Sequence, residues 1–373
     1  MKSLRLALTL VGFASFVFSF DVAAPARAEG PTSAPAASAP ASAPQATPLP
    51  RIQEVWNSFG STYDNTDSLA VATMPTGAVR LFATSKGGNW IDAYDAGSGA
   101  HQQRYGKKGA GPGEFDRPNG IASANITMDA KGNTRPALLI VERDNRRVQA
   151  IWADTMTPAG MVVENLDRPY GCCVATHNGE LLLYVTDEKA EPRLRVRLYK
   201  LMRDGDALKS QFVRGLGEEE GPGMIKKPES ITVDPYRERL LVCDEAADQK
   251  CVKVFSITGK FMGKAFGGGT IVGDPEGLVV WRTPDLHDVV IVTDQRPEQT
   301  AWHVFGAEDY EHRLSFTGTQ KIANTDGIAI FAEPLSEYAT GMFFAVNDDA
   351  DIRGYDLSSL AAKLKGLKAA PAK

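Results

Sequence analysis

Acidic residues recur just before short apolar runs in this chain: Asp64 and Asp67 before residues 69–72, Glu229 before 231–233, Asp274 and Glu276 before 278–281, and Asp326 before 328–331. Two further apolar runs open after Arg117-Pro118-Asn119 and Arg168-Pro169-Tyr170. A lone Asp beside Gly or Pro commonly caps its own turn through the backbone. Several acids at equivalent places differ in kind if the fold gathers them, because carboxylates at close range repel unless a hard cation holds them. Calcium, with its six to eight oxygen ligands, is the cofactor such a cluster calls for.

The elements that position these acids follow a repeat of roughly fifty residues. Each unit has a short apolar run, a turn rich in Gly, Pro, Asp or Asn, a strongly apolar run, a charged loop, and a third run ending in aromatic or aliphatic residues. The strongly apolar runs are residues 79–83, 137–141, 181–185, 240–243, 289–292 and 342–346. Continuous apolar character suits a strand covered on both faces, whereas the alternation of the third run suits a strand nearer an edge. A fourth strand is readable after most units. Sheets of this kind protect their edges when they are arranged radially. The expected fold is therefore all-β, a six-bladed β-propeller of four-stranded antiparallel blades over residues 51–361. The first strand of each blade lies innermost, so residues that open it converge on the axis.

Outside that body, Lys2 and Arg5, an apolar run over residues 6–20, and Ala26-Arg27-Ala28 read as a signal peptide over residues 1–28. Residues 29–50 are almost entirely Ala, Ser, Pro, Thr and Gln and read as a linker, and residues 362–373 as a flexible basic tail. A periplasmic or secreted location is expected, with no membrane span and a monomeric state. A net charge of −5, from 41 basic and 46 acidic residues, gives no positive surplus for nucleic acid. The spacing of Cys243 and Cys251 allows either a disulfide across a hairpin or two small buried hydrophobes. CxxC spacing is absent, so zinc is not expected.

Asp274-Pro275-Glu276-Gly277-Leu278, then Asp294-Gln295, and Thr325-Asp326-Gly327-Ile328, then residues 341–348, resemble the last two blades of the β-propeller phytases. Glu229, with Glu245 sixteen residues on, resembles that family's other calcium-ligand glutamates. The resemblance implies a calcium-dependent phosphomonoesterase acting on phytate or related inositol phosphates. Its metal ligands would be Glu229, Glu245, Asp274, Glu276, Asp326, Asp64 and Asp67. It further implies that Lys86, Arg143, Lys189 and Tyr170 act with Glu229 in catalysis and bind the polyanionic substrate, together with Gln295 and Arg296. Cations there have an independent rationale, since a polyanion approaches a ring of carboxylates only where positive charge outweighs them. Ser85 and Thr66 depart from the family pattern, which has Lys and an acid there.

Two other readings come from the same residues. The segments around Tyr105–Ala122 and Leu216–Ile231 look like the blade junctions of NHL-repeat propellers, which suits a non-catalytic module binding a protein or glycan. A calcium-dependent lactonase would share the six blades but would need one metal and an uncharged pocket. No Arg-His-Gly or G-x-S-x-G motif is present, and none of the five histidines has metal-ligand spacing.

Overall fold

The structure is a computed structural model that describes residues 48–283 and 287–368. The expected signal peptide and nearly all of the expected linker lie outside the described residues. Six antiparallel sheets form a ring, making a six-bladed β-propeller. The innermost strands are Thr66–Thr73, Pro118–Thr127, Pro169–His177, Pro228–Asp234, Asp274–Trp281 and Ile328–Phe331, for blades 1 to 6. They surround a central channel of about 430 Å³.

The second strands explain why the apolar runs are continuous. In Thr134–Glu142 of blade 2, Leu138 and Ile140 pack toward blade 1, while Ala137, Leu139 and Val141 pack toward blade 3. In blade 3, Leu183 and Val185 face back and Leu182 and Tyr184 face forward. Because successive side chains of a strand point to opposite faces, every residue of such a strand serves one of two junctions. Six apolar clusters result, one in each junction between blades. Burying one Leu or Ile fully is worth about 1.5–3 kcal/mol.

The outermost strand of blade 6 is not the one that follows it in sequence. Glu54–Asn57, from the start of the folded body, pairs antiparallel with Asp351–Asp356 and completes the sheet. Arg51–Ile52 adds a parallel fifth strand to blade 5. Glu54 is buried at this seam, where its carboxylate accepts the Gln320 N–H at 3.1 Å and the Thr319 hydroxyl. After blade 6 the chain forms the helix Leu357–Lys368, whose Leu357, Leu360 and Leu364 join the cluster between blades 5 and 6. The tail expected to be flexible from residue 362 is thus helical through Lys368. No helix among the described residues is long and apolar enough to cross a membrane.

Register settles the cysteine alternatives. Cys243 pairs with Val252 and Cys251 with Asp244, so the two side chains occupy successive positions on opposite faces, and all four cysteines are free and buried. The Cys243 thiol instead donates to the Glu276 carbonyl at 3.1 Å. Burial pushes the Cys172 thiol up to about 12, and burial with nearby acids pushes the Cys251 thiol up to about 11. The native protein is expected to resist a thiol reagent at neutral pH, and the unreduced protein in denaturant to take up four equivalents. Uptake of two would restore the bridge.

Candidate functional site

The same device opens the inner strand in five of the six blades. Pairing with the second strand breaks after Thr66, Pro118, Pro169, Pro228 and Pro275 and resumes three residues later, a bulge that re-aims the side chain next to its start. The residues so placed are Asp67, Asn119, Tyr170, Glu229 and Glu276, and Asp326 holds the matching place in blade 6. Behind them the backbones nearly touch. A Cβ on Gly120 would stand 2.3 Å from the Tyr170 carbonyl oxygen, and one on Gly327 would stand 2.4 Å from that of Asp67.

A second set of residues stands at or just past the end of each second strand: Lys86, Arg143, Glu188, Glu245, Gln295 and Asp348. In blades 2 to 5 their approach is fixed by a buried acid one residue earlier. Asp187 accepts the backbone N–H groups of Asp167 and Arg168 at 2.9 and 2.6 Å and pairs with Arg197 at 2.7 Å. Asp244 does the same for Lys226 and Lys227, both at 2.9 Å, and pairs with Lys253 at 2.9 Å. Asp294 takes the Val272 and Gly273 N–H groups and pairs with His303 at 3.0 Å. Glu142 accepts from Asp116 and pairs with Arg147 at 2.6 Å. Each acid ties the incoming junction loop to its own blade, so the residues that open that blade's inner strand are held in place. Sequence reading missed this role, although an acid closing the apolar runs of blades 2 to 5 was its visible sign.

The two sets meet in a cavity of about 180 Å³ at one end of the channel. Of the expected site residues, Asp67, Lys86, Tyr170, Glu229, Glu245, Asp274, Glu276 and Asp326 line it, and Lys227 joins them. Glu229, Glu245 and Glu276 each offer a carboxylate oxygen, with these three atoms within 4.8 Å of one another. Lys86 lies between Asp67 and Asp326, 3.1 Å from the latter, and the Gln295 amide also donates to Asp326. Lys227 pairs with Glu245, while Asp274 is half exposed at the rim, 3.4 Å from Lys250. Six carboxyl groups thus share this cavity with two ammonium groups.

That excess is visible in the acidities. Burial first, and then the neighbouring carboxylates, push Glu229, Glu276 and Asp326 well above the usual carboxylate range. Burial acts the same way on Asp67, but the Lys86 ammonium and hydrogen bonds from its neighbours outweigh it and hold Asp67 low. Among the described residues Glu276, only 9% exposed, forms no ion pair, and its side-chain hydrogen bond is to another acid, Glu245. Oxygen-only donors, close spacing and unneutralised charge fit a hard divalent ion such as Ca²⁺.

Other expected residues stand apart. Asp64 pairs with Arg104 at 3.4 Å, and its backbone oxygen accepts the Ser85 hydroxyl at 2.5 Å. Lys189 lies one residue beyond the ring position held by Glu188, with which it pairs at 3.5 Å, and its side chain is 60% exposed. Arg296 turns back onto Asp294. Arg143 holds Asp144 at 2.8 Å beside the Tyr170 hydroxyl, and the Arg168 guanidinium sits 5.6 Å from the Tyr170 ring. Ser85 and Thr66, the two departures from the phytase pattern, are buried and bond to backbone oxygens of Asp64 and Ala350. Lys227 was legible in hindsight, since it stands two residues before Glu229 as Asp274 stands before Glu276.

No known family model matches the chain, and no curated protein matches it by sequence. Among solved structures it is similar to the hydrazine synthase of Kuenenia stuttgartiensis, with 12% identity over 76% of this chain and 74% of that chain and a TM-score of 0.49. A likeness at that level carries no function from one chain to the other.

The buried acids make a stability prediction with a definite sign. Burial raises the Asp294 pKa, but His303, Arg296 and the Val272 N–H outweigh it and hold the group at about 2. A carboxyl near 3.9 when unfolded and near 2 when folded stabilises the protein fully above pH ~4, and this is lost as pH falls through ~2. Urea midpoints should show Asp294→Asn less stable than wild type at pH 7 by on the order of 2 kcal/mol. They should also show a smaller loss between pH 4 and 2. Parallel acid profiles for the two proteins would refute the assignment.

Proposed function

We propose that this chain is an exported calcium-dependent phosphomonoesterase acting on phytate or a related inositol phosphate. The observation that carries this reading is the meeting of Glu229, Glu245 and Glu276, whose oxygens lie within 4.8 Å of one another at the channel mouth. The phytase-like motifs supply the reaction class. The basic, apolar and small-residue stretches at the start of the sequence support export.

In this reading Glu229, Glu245 and Glu276 hold the ion, with Asp274 at the rim. A bound Ca²⁺ would supply a water of lowered pKa and a Lewis acid for the phosphoryl oxygen. Arg143, Arg168 and the Tyr170 hydroxyl lie on the adjoining blades 2 and 3, where they can take the remaining phosphoryl oxygens as charge develops. Lys189, outward and exposed, adds positive potential along the path of an incoming anion.

A second reading, a metal-binding propeller without hydrolysis, is favoured by the engagement of Lys86 and Arg296 in internal ion pairs. Release of inorganic phosphate from phytate distinguishes the two. Release is expected with Ca²⁺ and not with a chelator, and Glu276→Gln should lower it by at least a hundredfold while the protein stays folded. Calcium binding without release would favour the second reading, and release that survives both chelation and Glu276→Gln would remove the metal from the chemistry.

A further inference from the structure

The acids of the mouth fall into two groups that are treated differently. On blades 6 and 1, Asp326 and Asp67 face a common point, and Lys86 fills it. Its side chain is only 16% exposed, and its approach is fixed by the backbone, since the Lys86 N–H donates to the Asn65 carbonyl at 2.9 Å. The Gln295 amide closes the other side of Asp326, and the Ser68 hydroxyl donates to Asp67 at 2.7 Å. On blades 4 and 5, Glu229 and Glu276 have no cationic side chain paired with them among the described residues. Lys227 forms its ion pair with Glu245, from the rim, with a side chain 44% exposed, and acts on Glu229 and Glu276 only through their longer-range charge.

An ammonium and a divalent ion compete for the same oxygens. Lysine brings one charge and three donors at fixed cost in solvation, whereas Ca²⁺ needs six to eight oxygens around it. With an ammonium and an amide already directed at Asp67 and Asp326, the oxygens there are turned toward donors, and a cation would first have to expel Lys86. Charge repulsion adds to this, since a divalent ion seated beside a buried ammonium meets little screening.

We propose that Lys86 is a built-in cation that closes the Asp67–Asp326 pair to metal, so that the mouth takes a single divalent ion, on Glu229, Glu245 and Glu276. Lys86 is then a positioning residue and not a ligand of the substrate phosphate, in contrast to what the phytase resemblance implies for it. The inference rests on the reading of the mouth as a divalent-cation site.

Equilibrium dialysis of the purified full chain against Ca²⁺ tests it directly. The wild type should bind one ion, Glu276→Gln should lose it, and Lys86→Met should bind two. Melting measured in chelator and in Ca²⁺ gives a second readout: Lys86→Met should melt lower than wild type in chelator and recover more than wild type when Ca²⁺ is added. Two or more ions on the wild type would overturn the proposal while leaving the cation site standing, and so would one ion on a folded Lys86→Met protein. No ion on the wild type would overturn the cation site itself. If Lys86→Met does not fold, the wild-type stoichiometry decides alone.

Discussion

The crowding of backbone around the axis governs the rest of this molecule. In four of the six blades the inner strand approaches its neighbour so closely that the next blade's carbonyl occupies the space a side chain would need, as at Gly120 against Tyr170 and Gly327 against Asp67. Where one residue must have no side chain, its predecessor, swung by a bulge, is the one that faces the channel mouth. Thr84 and Thr186 then fasten the crowded carbonyls of Asn119 and Glu229. The six facing residues differ in kind from blade to blade, since the bulge sets their placement and leaves their type open.

That freedom produces an uneven mouth. Blades 2 and 3 place Asn119, Arg143, Tyr170 and Arg168 on one arc, with Glu188 paired to Arg168 at 3.3 Å, and blades 4, 5, 6 and 1 place six acids and two lysines on the other. Asn119 is 3% exposed with its side-chain oxygen unpaired, a polar group whose burial is compensated by no protein partner. Negative charge is therefore concentrated on one arc of the mouth.

Much of this was legible in the residues. Blade number and strand order followed from the apolar runs, because a strand covered on both faces must be apolar at every position. The acids before the inner strands were legible too, since Pro or Thr before an acid and Gly or Ser after it marks the bulge. What was not legible depends on distances that sequence does not carry. Lys189 was read in place of Glu188 because the resemblance favours a cation, while the ring position is set by counting from Asp187. The ion pairs of Lys86 with Asp67 and Asp326 were not legible, because one of those acids lies 240 positions away. The partner of the sixth blade was unreadable because it comes from the far end of the body, and the Cys243–Cys251 alternatives differed by a single step of register.

That seam has a consequence for how the protein comes into being. The Ile352 N–H donates to the Ser58 hydroxyl across 294 positions of chain. Strand Glu54–Asn57 is made before any of the six blades and waits unpaired, an exposed edge, until the final blade exists. Gathering ends so far apart is entropically slow, and contacts of this range delay folding of the whole. An interval in which the chain is whole but the circle is open follows from the architecture, and during it a chaperone or a neighbouring copy has access to an edge that the finished molecule never shows.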